Sequence, residues 1–468
     1  MRARGGFVER DGVLRPAVPY RMSHAATRPP ATAPQPGADT AEFLSGARQD
    51  DGAAEAERLR GEARPDAPLA GLRVFDLTSY WAGPYASQIL AWLGADVVKV
   101  ESARRPDGTR VGSAYTTAAD RPWERAPLFH AVNTGKRGVT IDLTHPEGVL
   151  LARRLLDVCD ILVENYSPRV VERFGLLPAD GERPDLITAR MPAWGLTGPW
   201  RDQPGFAQNM EQATGLAYIT GHPDGPPVVP RGVCDPLGGW HAAFAVLAAV
   251  WLRRRGGPGQ LIEAPLLDAA LNVTAAQVLD WSAHGILAGR HGNRSPSAAP
   301  QGLYPCGPDG ALLALSVEDD AQWRALTSVL GAPPWPDAHE LSTAEARHRA
   351  HDRVDAWLTE ILASYDRTPL VLKLLSHGVP AAALTPAERA LDHEQLTHRR
   401  FATTANHPVT GPVSVPGFPA PWPLTSHTEV PAPLLGQHND DVFAGLLGLS
   451  TEELAKLADS GVVGTHPL

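Results

Sequence analysis

The sequence predicts an α/β protein: a doubly wound, Rossmann-like large domain followed by a second, smaller α+β domain. Two observations carry this. From about Leu69 to Arg190, short runs of β-branched and aliphatic residues alternate with longer apolar stretches of helical type. That alternation is the pattern of right-handed strand–helix–strand crossovers and a parallel sheet. From about Tyr304 the texture changes to amphipathic surface helices mixed with short strands.

The elements are expected as follows. Arg73–Leu77 reads as a buried strand, broken by Gly83-Pro84, then a helix over Ser87–Leu93 stopped by Gly94, then a strand over Asp96–Glu101. Val139–Leu143 is a strand, Pro146–Val158 a helix with proline in its first turn, and Asp160–Glu164 and Leu186–Arg190 are strands. Pro236–Leu252 is a buried helix whose C-terminal Arg253–Arg255 suits the macrodipole, with Gly256-Gly257 as its stop. A strand over Gln260–Ala264 and a helix over Leu266–Gly285 follow. Ala311–Val317 and Val379–Leu384 are strands of the smaller domain, with helices over Asp320–Leu330 and Ala344–Ala363. Ser450-Thr451-Glu452-Glu453 is a capping box opening the last helix. The expected division is 1–66 as a disordered extension, 67–300 as the large domain, 301–400 as the smaller one, and 401–468 as a segment returning to the large domain.

Composition narrows the class. The 468 residues suffice for two domains, and 43% apolar content is ordinary for a globular chain. A net charge of −10 argues against a nucleic-acid binder. The three cysteines, Cys159, Cys234 and Cys306, are far apart and form no C-x-x-C pair, so neither a metal site nor a disulfide framework is expected. The longest apolar run, Ala242–Leu252, is too short to span a bilayer, and no charged segment followed by an apolar one opens the chain. A cytoplasmic protein with no membrane partner is expected. Residues 1–66 are rich in Ala, Pro, Arg, Gly and Asp, and are expected to be dispensable; Met22 is an alternative start, and Ala53–Arg64 a polar helix with no face to bury.

Asp235 is the residue of greatest chemical interest. In Cys234-Asp235-Pro236-Leu237-Gly238-Gly239 it opens the apolar helix, where a carboxylate either caps the helix or attacks an electrophile. As a cap, its loss in Asp235→Ala costs ~1 kcal/mol. The helix start is expected to keep it ionised, its first-turn N–H groups to stabilise an oxyanion, and Gly238-Gly239 to admit a ligand close to the backbone. No phosphate-binding G-x-x-x-x-G-K-[ST] and no G-x-S-x-G elbow is present. His393-Glu394-Gln395-Leu396-Thr397-His398 has one residue too many for a zinc-protease helix and reads as a solvated stretch.

Several segments, in order, resemble the class III coenzyme A-transferase family, whose fold is shared with α-methylacyl-CoA racemase. They include Pro68–Thr78, Trp81-Ala82-Gly83-Pro84, Leu93–Glu101, Lys136-Arg137, Val163-Glu164-Asn165-Tyr166-Ser167-Pro168, Gly195-Leu196-Thr197-Gly198-Pro199, Asp224-Gly225-Pro226-Pro227, Gly292-Asn293-Arg294-Ser295-Pro296 and Pro433-Leu434-Leu435-Gly436. The resemblance spans about Pro68 to Val463. It implies transfer of CoA from an acyl-CoA to a carboxylic acid, with coenzyme A as co-substrate and no permanent cofactor. It implies Asp235 as nucleophile through an aspartyl-CoA intermediate, and CoA contacts from Trp81, Ala82, Gly83, Lys136, Arg137, Asn165 and Arg173. It also implies an interlocked homodimer, with the Gly- and Pro-rich connections near 255–305 and 400–432 as crossings. Departures occur at Phe206, where the formyl-CoA enzyme carries tyrosine and the racemase histidine, and at Ser297-Ala298-Ala299, where the former has a glycine-rich flap. The competing readings are an acyl-CoA racemase or isomerase, which needs a second proton-transfer group near Asp235, where His222 and His241 are nearest in sequence but neither matches the family's histidine, and a non-catalytic CoA-binding protein.

Overall fold

A sheet built from the expected apolar runs places everything else. In the computed structural model, which describes residues 1–25, 33–45, 66–111, 119–179, 181–420 and 429–468, the strands run in chain order. They are β1 (Phe7–Arg10), β2 (Val13–Pro16), β3 (Arg21–Met22), β4 (Arg73–Leu77), β5 (Asp96–Glu101), β6 (Arg137–Thr140) and β7 (Ile161–Glu164). Then come β8 (Ile187–Arg190), β9 (Leu261–Glu263), β10 (Gln301–Cys306), β11 (Ala311–Ser316), β12 (Ala381–Ala383), β13 (Ala402–His407) and β14 (Gly411–Pro416). Among the described residues, seven form one sheet in the order β3-β9-β8-β7-β4-β5-β6. All neighbours are parallel except β3, which runs antiparallel to β9. The chain steps outward from β4 through β5 and β6, then returns to β7 on the other side of β4. Such a reversal opens a crevice beyond the carboxyl ends of the two strands.

Strand alternation sorts β4 between two layers. Phe75 and Leu77 join Val98, Val100, Ile141 and Leu162 beneath Leu151 and Leu155 of the helix Pro146–Asp157. Asp76, between them, reaches Ser87 of the helix Ala82–Trp92. The long helix Cys234–Arg254 packs on Ala82–Trp92. A Cβ on Gly239 would lie 2.9 Å from Ala82 O, and one on Gly238 2.7 Å from Leu266 Cδ1. The glycine pair thus serves close helix packing, not the close ligand approach expected for it.

Both ends of the parallel array, β6 and β9, are covered. At β6, His438 N donates to Gly138 O (2.9 Å), His438 Nδ1 accepts from Gly138 N (3.0 Å) and Asn439 Oδ1 accepts from Thr140 N (2.9 Å). Asp142 N then turns to Val462 O, which ends the strand before the expected Leu143. Gly436 takes φ +66°, and a Cβ there would meet Gly464 O at 2.3 Å, so the Pro433–Gly436 motif is an edge clamp. The helix expected over Leu266–Gly285 divides into Leu266–Val273 and Ala275–His284 at Thr274, whose hydroxyl back-bonds to Leu271 O and reaches Thr214 O.

The other edge corrects the expectation of disorder for the first 25 residues of the 1–66 segment. β1 and β2 form a hairpin against the helix Ala275–His284, and β3 extends the central sheet, with Arg21 opposite Glu263 and Met22 opposite Ile262. Leu14 N donates to Ser282 Oγ (2.7 Å) and Asn272 Nδ2 to Ala17 O (3.0 Å). Arg4 and Arg21 both pair with buried Asp268, and both also reach Glu263. Charge docks this segment where apolar content could not, which a compositional reading overlooks. The expected helix Ala53–Arg64 lies outside the described residues.

The chain divides into two compact units, 1–216 with 229–287 and 398–468, and 217–228 with 288–397. The second has its own antiparallel sheet, β10-β11-β12, and a core of Leu313, Leu315, Trp323, Val354, Trp357 and Leu358. Its buried Arg347 donates to Ala299 O, Leu341 O and Asp320 Oδ1. The Ser450–Glu453 capping box forms as expected.

Removing residues 1–25 uncovers the edge of β9 and leaves Asp268 buried without its cations. The double substitution Arg4→Ala/Arg21→Ala is expected to lower stability by about 3 kcal/mol in urea denaturation, the scale of a broken buried ion pair. A truncated chain as stable as the full one would contradict this.

Candidate active site

Beyond the carboxyl ends of the parallel strands lies a cleft of about 670 Å³. Leu77, Glu101, Asn165, Met191 and Leu266 mark the ends of β4, β5, β7, β8 and β9 along it. The cleft therefore sits at the strand-order reversal, where open α/β sheets place their ligands.

The loop after β4 is held from three sides. Asn165 Oδ1 accepts from Ser79 N (2.9 Å) while its Nδ2 donates to Ser79 O (2.8 Å). Lys99 Nζ donates to Thr78 O and to Asp107 Oδ2, both at 2.9 Å. Asp107 Oδ1 accepts from Tyr80 N at 3.1 Å, with Tyr80 held at φ +69°. Trp81 and Ala82, at the start of the next helix, line the cleft. Gly83 lies beneath: a Cβ on it would come within 2.7 Å of Asn165 Cγ and Thr78 Cβ, so it admits the side chain that fixes the loop.

Asp235 lines the same cleft. It is the second residue of the helix Cys234–Arg254; Val233 occupies the cap position, and no side chain caps this end. The capping expectation is thus corrected. So are the two electrostatic ones. Asp235 N donates to Gly232 O and Leu237 N to Val233 O, and Pro236 has no N–H, so these first-turn donors do not point at a ligand. Burial, and then the charge of Glu211, push the Asp235 carboxyl up to about 7 instead of down.

The basic residues fall into two groups. Arg173, on the helix Pro168–Phe174, lines the cleft with Asn165. Lys136 does not. It is fully buried, and its Nζ donates to Asp76 Oδ2, Pro84 O, Ser87 Oγ and Asn133 Oδ1 at 2.8–2.9 Å. Burial pulls its ammonium down to about 8. Arg137 opens β6 and pairs with Asp96 (2.8 and 2.5 Å), at the amino end of the sheet. A basic pair preceding a parallel strand is at the wrong end for a ligand of the carboxyl edge. Arg104 and Arg105, which follow β5, do line the cleft and were passed over; their position after a strand is the signal that finds them. Arg104 Nε donates to Asp142 Oδ2 at 2.9 Å. Phe206 also lines the cleft, its ring edge-on to Tyr80 at 5.2 Å. Ser297–Ala299 belongs to the second unit, where Ala299 N donates to Val317 O.

Residues 69–439 match the family described as CoA-transferase family III. The chain belongs to this family and is a CoA-transferase. Among its relatives are a succinyl-CoA–D-citramalate CoA-transferase of Chloroflexus aurantiacus, 30% identical over 86% of this chain and 99% of the relative, and a succinate–glutarate CoA-transferase of Agrobacterium fabrum, 33% identical over 81% and 96%. A formyl-CoA:oxalate CoA-transferase of Streptomyces avermitilis is 30% identical over 84% and 99%. A solved CAIB/BAIF family protein from Brucella suis superposes with a TM-score of 0.72 at 28% identity, covering 81% of this chain and all of the other. No helix among the described residues is long and apolar enough to cross a membrane.

Arg173→Ala and Arg105→Ala are each expected to weaken CoA binding several-fold in calorimetry while leaving the unfolding curve unchanged. Lys136→Met should do the reverse, lowering stability by about 3 kcal/mol because Asp76 stays buried without its cation.

Proposed function

We propose that this protein moves coenzyme A from an acyl-CoA thioester to a free carboxylic acid, with Asp235 as the nucleophile. One observation carries the reading. Asp235 faces the cleft at the strand-order reversal with no capping role and no cation against it among the described residues. The ionised carboxylate attacks the thioester carbonyl; the C–S bond breaks, leaving an acyl-aspartyl anhydride and CoA thiolate. The thiolate attacks the aspartyl carbonyl, releasing the donor acid and leaving an aspartyl-CoA thioester. The acceptor carboxylate attacks that thioester to form a new anhydride and free the thiolate again. Thiolate attack on the acceptor's acyl carbon releases the new acyl-CoA and restores Asp235.

Asn165, Trp81 and Ala82 shape the thioester end, and Arg104, Arg105 and Arg173 answer the phosphates. The names of the relatives supply the substrates to try: succinyl-CoA and formyl-CoA as donors, and citramalate, glutarate and oxalate as acceptors. The racemase reading lacks support, since no histidine lines the described cleft and Phe206 cannot move a proton. The doubly wound sheet is read as half of an interlocked homodimer; a monomer in light scattering at micromolar concentration speaks against this.

Asp235→Ala should abolish transfer and remove the adduct, of CoA mass less one water, that wild-type protein forms with acyl-CoA alone, read by intact-protein mass spectrometry. Wild-type turnover in that variant would sink the proposal.

The nucleophile is the anion, so kcat/KM should rise about ten-fold per pH unit on the acid side and level off above the midpoint near 7. Stability follows with the opposite sense. The folded carboxyl binds its proton up to about 7, against an ordinary aspartate value of 3.8, so stability present below 3.8 is lost as pH rises through 7. Asp235→Ala should therefore melt at a higher temperature than wild type at pH 8, and the gain should vanish towards pH 4.

A further inference from the structure

Behind the turn that presents Asp235 lies Glu211, on the helix Ala207–Ala213, with 0% of its surface exposed. Its Oε1 accepts from Gly232 N at 2.8 Å, and Gly232 O accepts from Asp235 N at 3.1 Å. Its Oε2 is buried with no hydrogen-bond partner among the described residues. Gly232 holds φ +103°, and a Cβ there would stand 3.4 Å from the Trp81 ring and 3.8 Å from Ala207 Cβ. The turn is thus a glycine clamped between the thioester-end loop and the helix that bears Glu211. A buried carboxylate with one oxygen unanswered is costly, and such groups call for a functional account.

The other charges near the helix Cys234–Arg254 are engaged elsewhere. On the elements packed against it, Asp268 pairs with Arg4 and Arg21, Arg190 with Glu164, and Glu263 with Arg4 and Arg21. Tyr85 bonds to Trp240, burial holds the Cys234 thiol up at about 12, and burial lowers His241. Among the described residues, Glu211 is the charge left to act on Asp235.

We propose that Glu211 is the positioning residue of the nucleophile: through Gly232 it fixes the turn that presents Asp235, and its carboxylate behind Asp235 favours steps that remove charge there. This rests on the reading of Asp235 as nucleophile. Two carboxylates in one dry site repel. The anhydride and the aspartyl thioester are neutral at Asp235, so forming either relieves the repulsion, which helps the attack. A more basic carboxylate is also the stronger nucleophile.

Two variants separate the parts. Glu211→Gln keeps an acceptor for Gly232 N and removes the charge; Glu211→Ala removes both. The first readout needs no CoA: the carboxyl of Asp235, labelled with ¹³C and assigned against Asp235→Asn, is titrated by NMR. In Glu211→Gln its midpoint is expected to fall by about one pH unit or more. The second readout is transfer from succinyl-CoA to glutarate. Glu211→Ala should lower kcat by about 10- to 100-fold with KM for the acyl-CoA within about 3-fold, and Glu211→Gln should recover part of that loss and shift the acid limb to lower pH. An unmoved Asp235 midpoint in Glu211→Gln, or wild-type kcat in Glu211→Ala, overturns the proposal. If wild-type protein transfers no CoA between any pair tried, the functional reading fails, while the titration still decides whether Glu211 acts on Asp235. If Glu211→Ala does not fold, Glu211→Gln supplies both readouts.

Discussion

The cleft depends on charges buried beneath its rim. Lys99 is wholly enclosed, and its ammonium bridges the loop after β4 at Thr78 O to the loop after β5 at Asp107. Arg110, equally enclosed, pairs with Glu101 at the end of β5 and with Glu124, and lies 3.5 Å over the Phe129 ring. It also donates to Pro433 O, while Glu124 accepts from Leu435 N, so the C-terminal segment joins the same network. A buried ion left without its partner costs several kcal/mol, so none of these loops can swing without a large penalty. The result is a braced rim in which Tyr80 is held in an uncommon backbone conformation beside the cleft.

Against that frame of answered charges, Asp235 stands apart. Asp76 has Lys136, Asp107 has Lys99, Glu101 has Arg110, and Asp268 has two arginines. Each of those carboxylates is neutralised by a cation and thereby committed to structure. Asp235 has no such cation among the described residues, and has a second carboxylate behind it. The same contrast explains the misplacement of Lys136. A fully satisfied internal ammonium is part of the frame, whereas Arg105 after β5 and Arg173 on the helix after β7 line the cleft itself.

The two edges of the sheet are protected in different ways, and both ways bear on the site. At β6 the returning C-terminal segment supplies side-chain donors and acceptors in place of a further strand. At β9 the N-terminal segment adds a strand and two arginines that reach Asp268, on the helix that begins at Leu266 beside the cleft. The cleft face is therefore braced by segments more than two hundred residues away in sequence. Such contacts leave little local pattern.

Much of the fold was legible without coordinates. β4 and β5 begin and end where the apolar runs do, because β-branched residues flanked by glycine and proline have few other choices. The family was likewise readable from ordered motifs, and the same motifs single out Asp235, which lines the cleft. What the sequence could not decide was direction. Whether the Lys136 ammonium meets a ligand or an internal carboxylate, whether Gly238-Gly239 faces a ligand or a helix, and whether Asp235 is eased or opposed in its ionisation all depend on what the fold brings alongside. Glu211 lies 24 positions before Asp235, and nothing in its neighbours marks it. Only burial against the Gly232 turn gives it a role, because electrostatic influence is set by distance and desolvation, which no local sequence encodes.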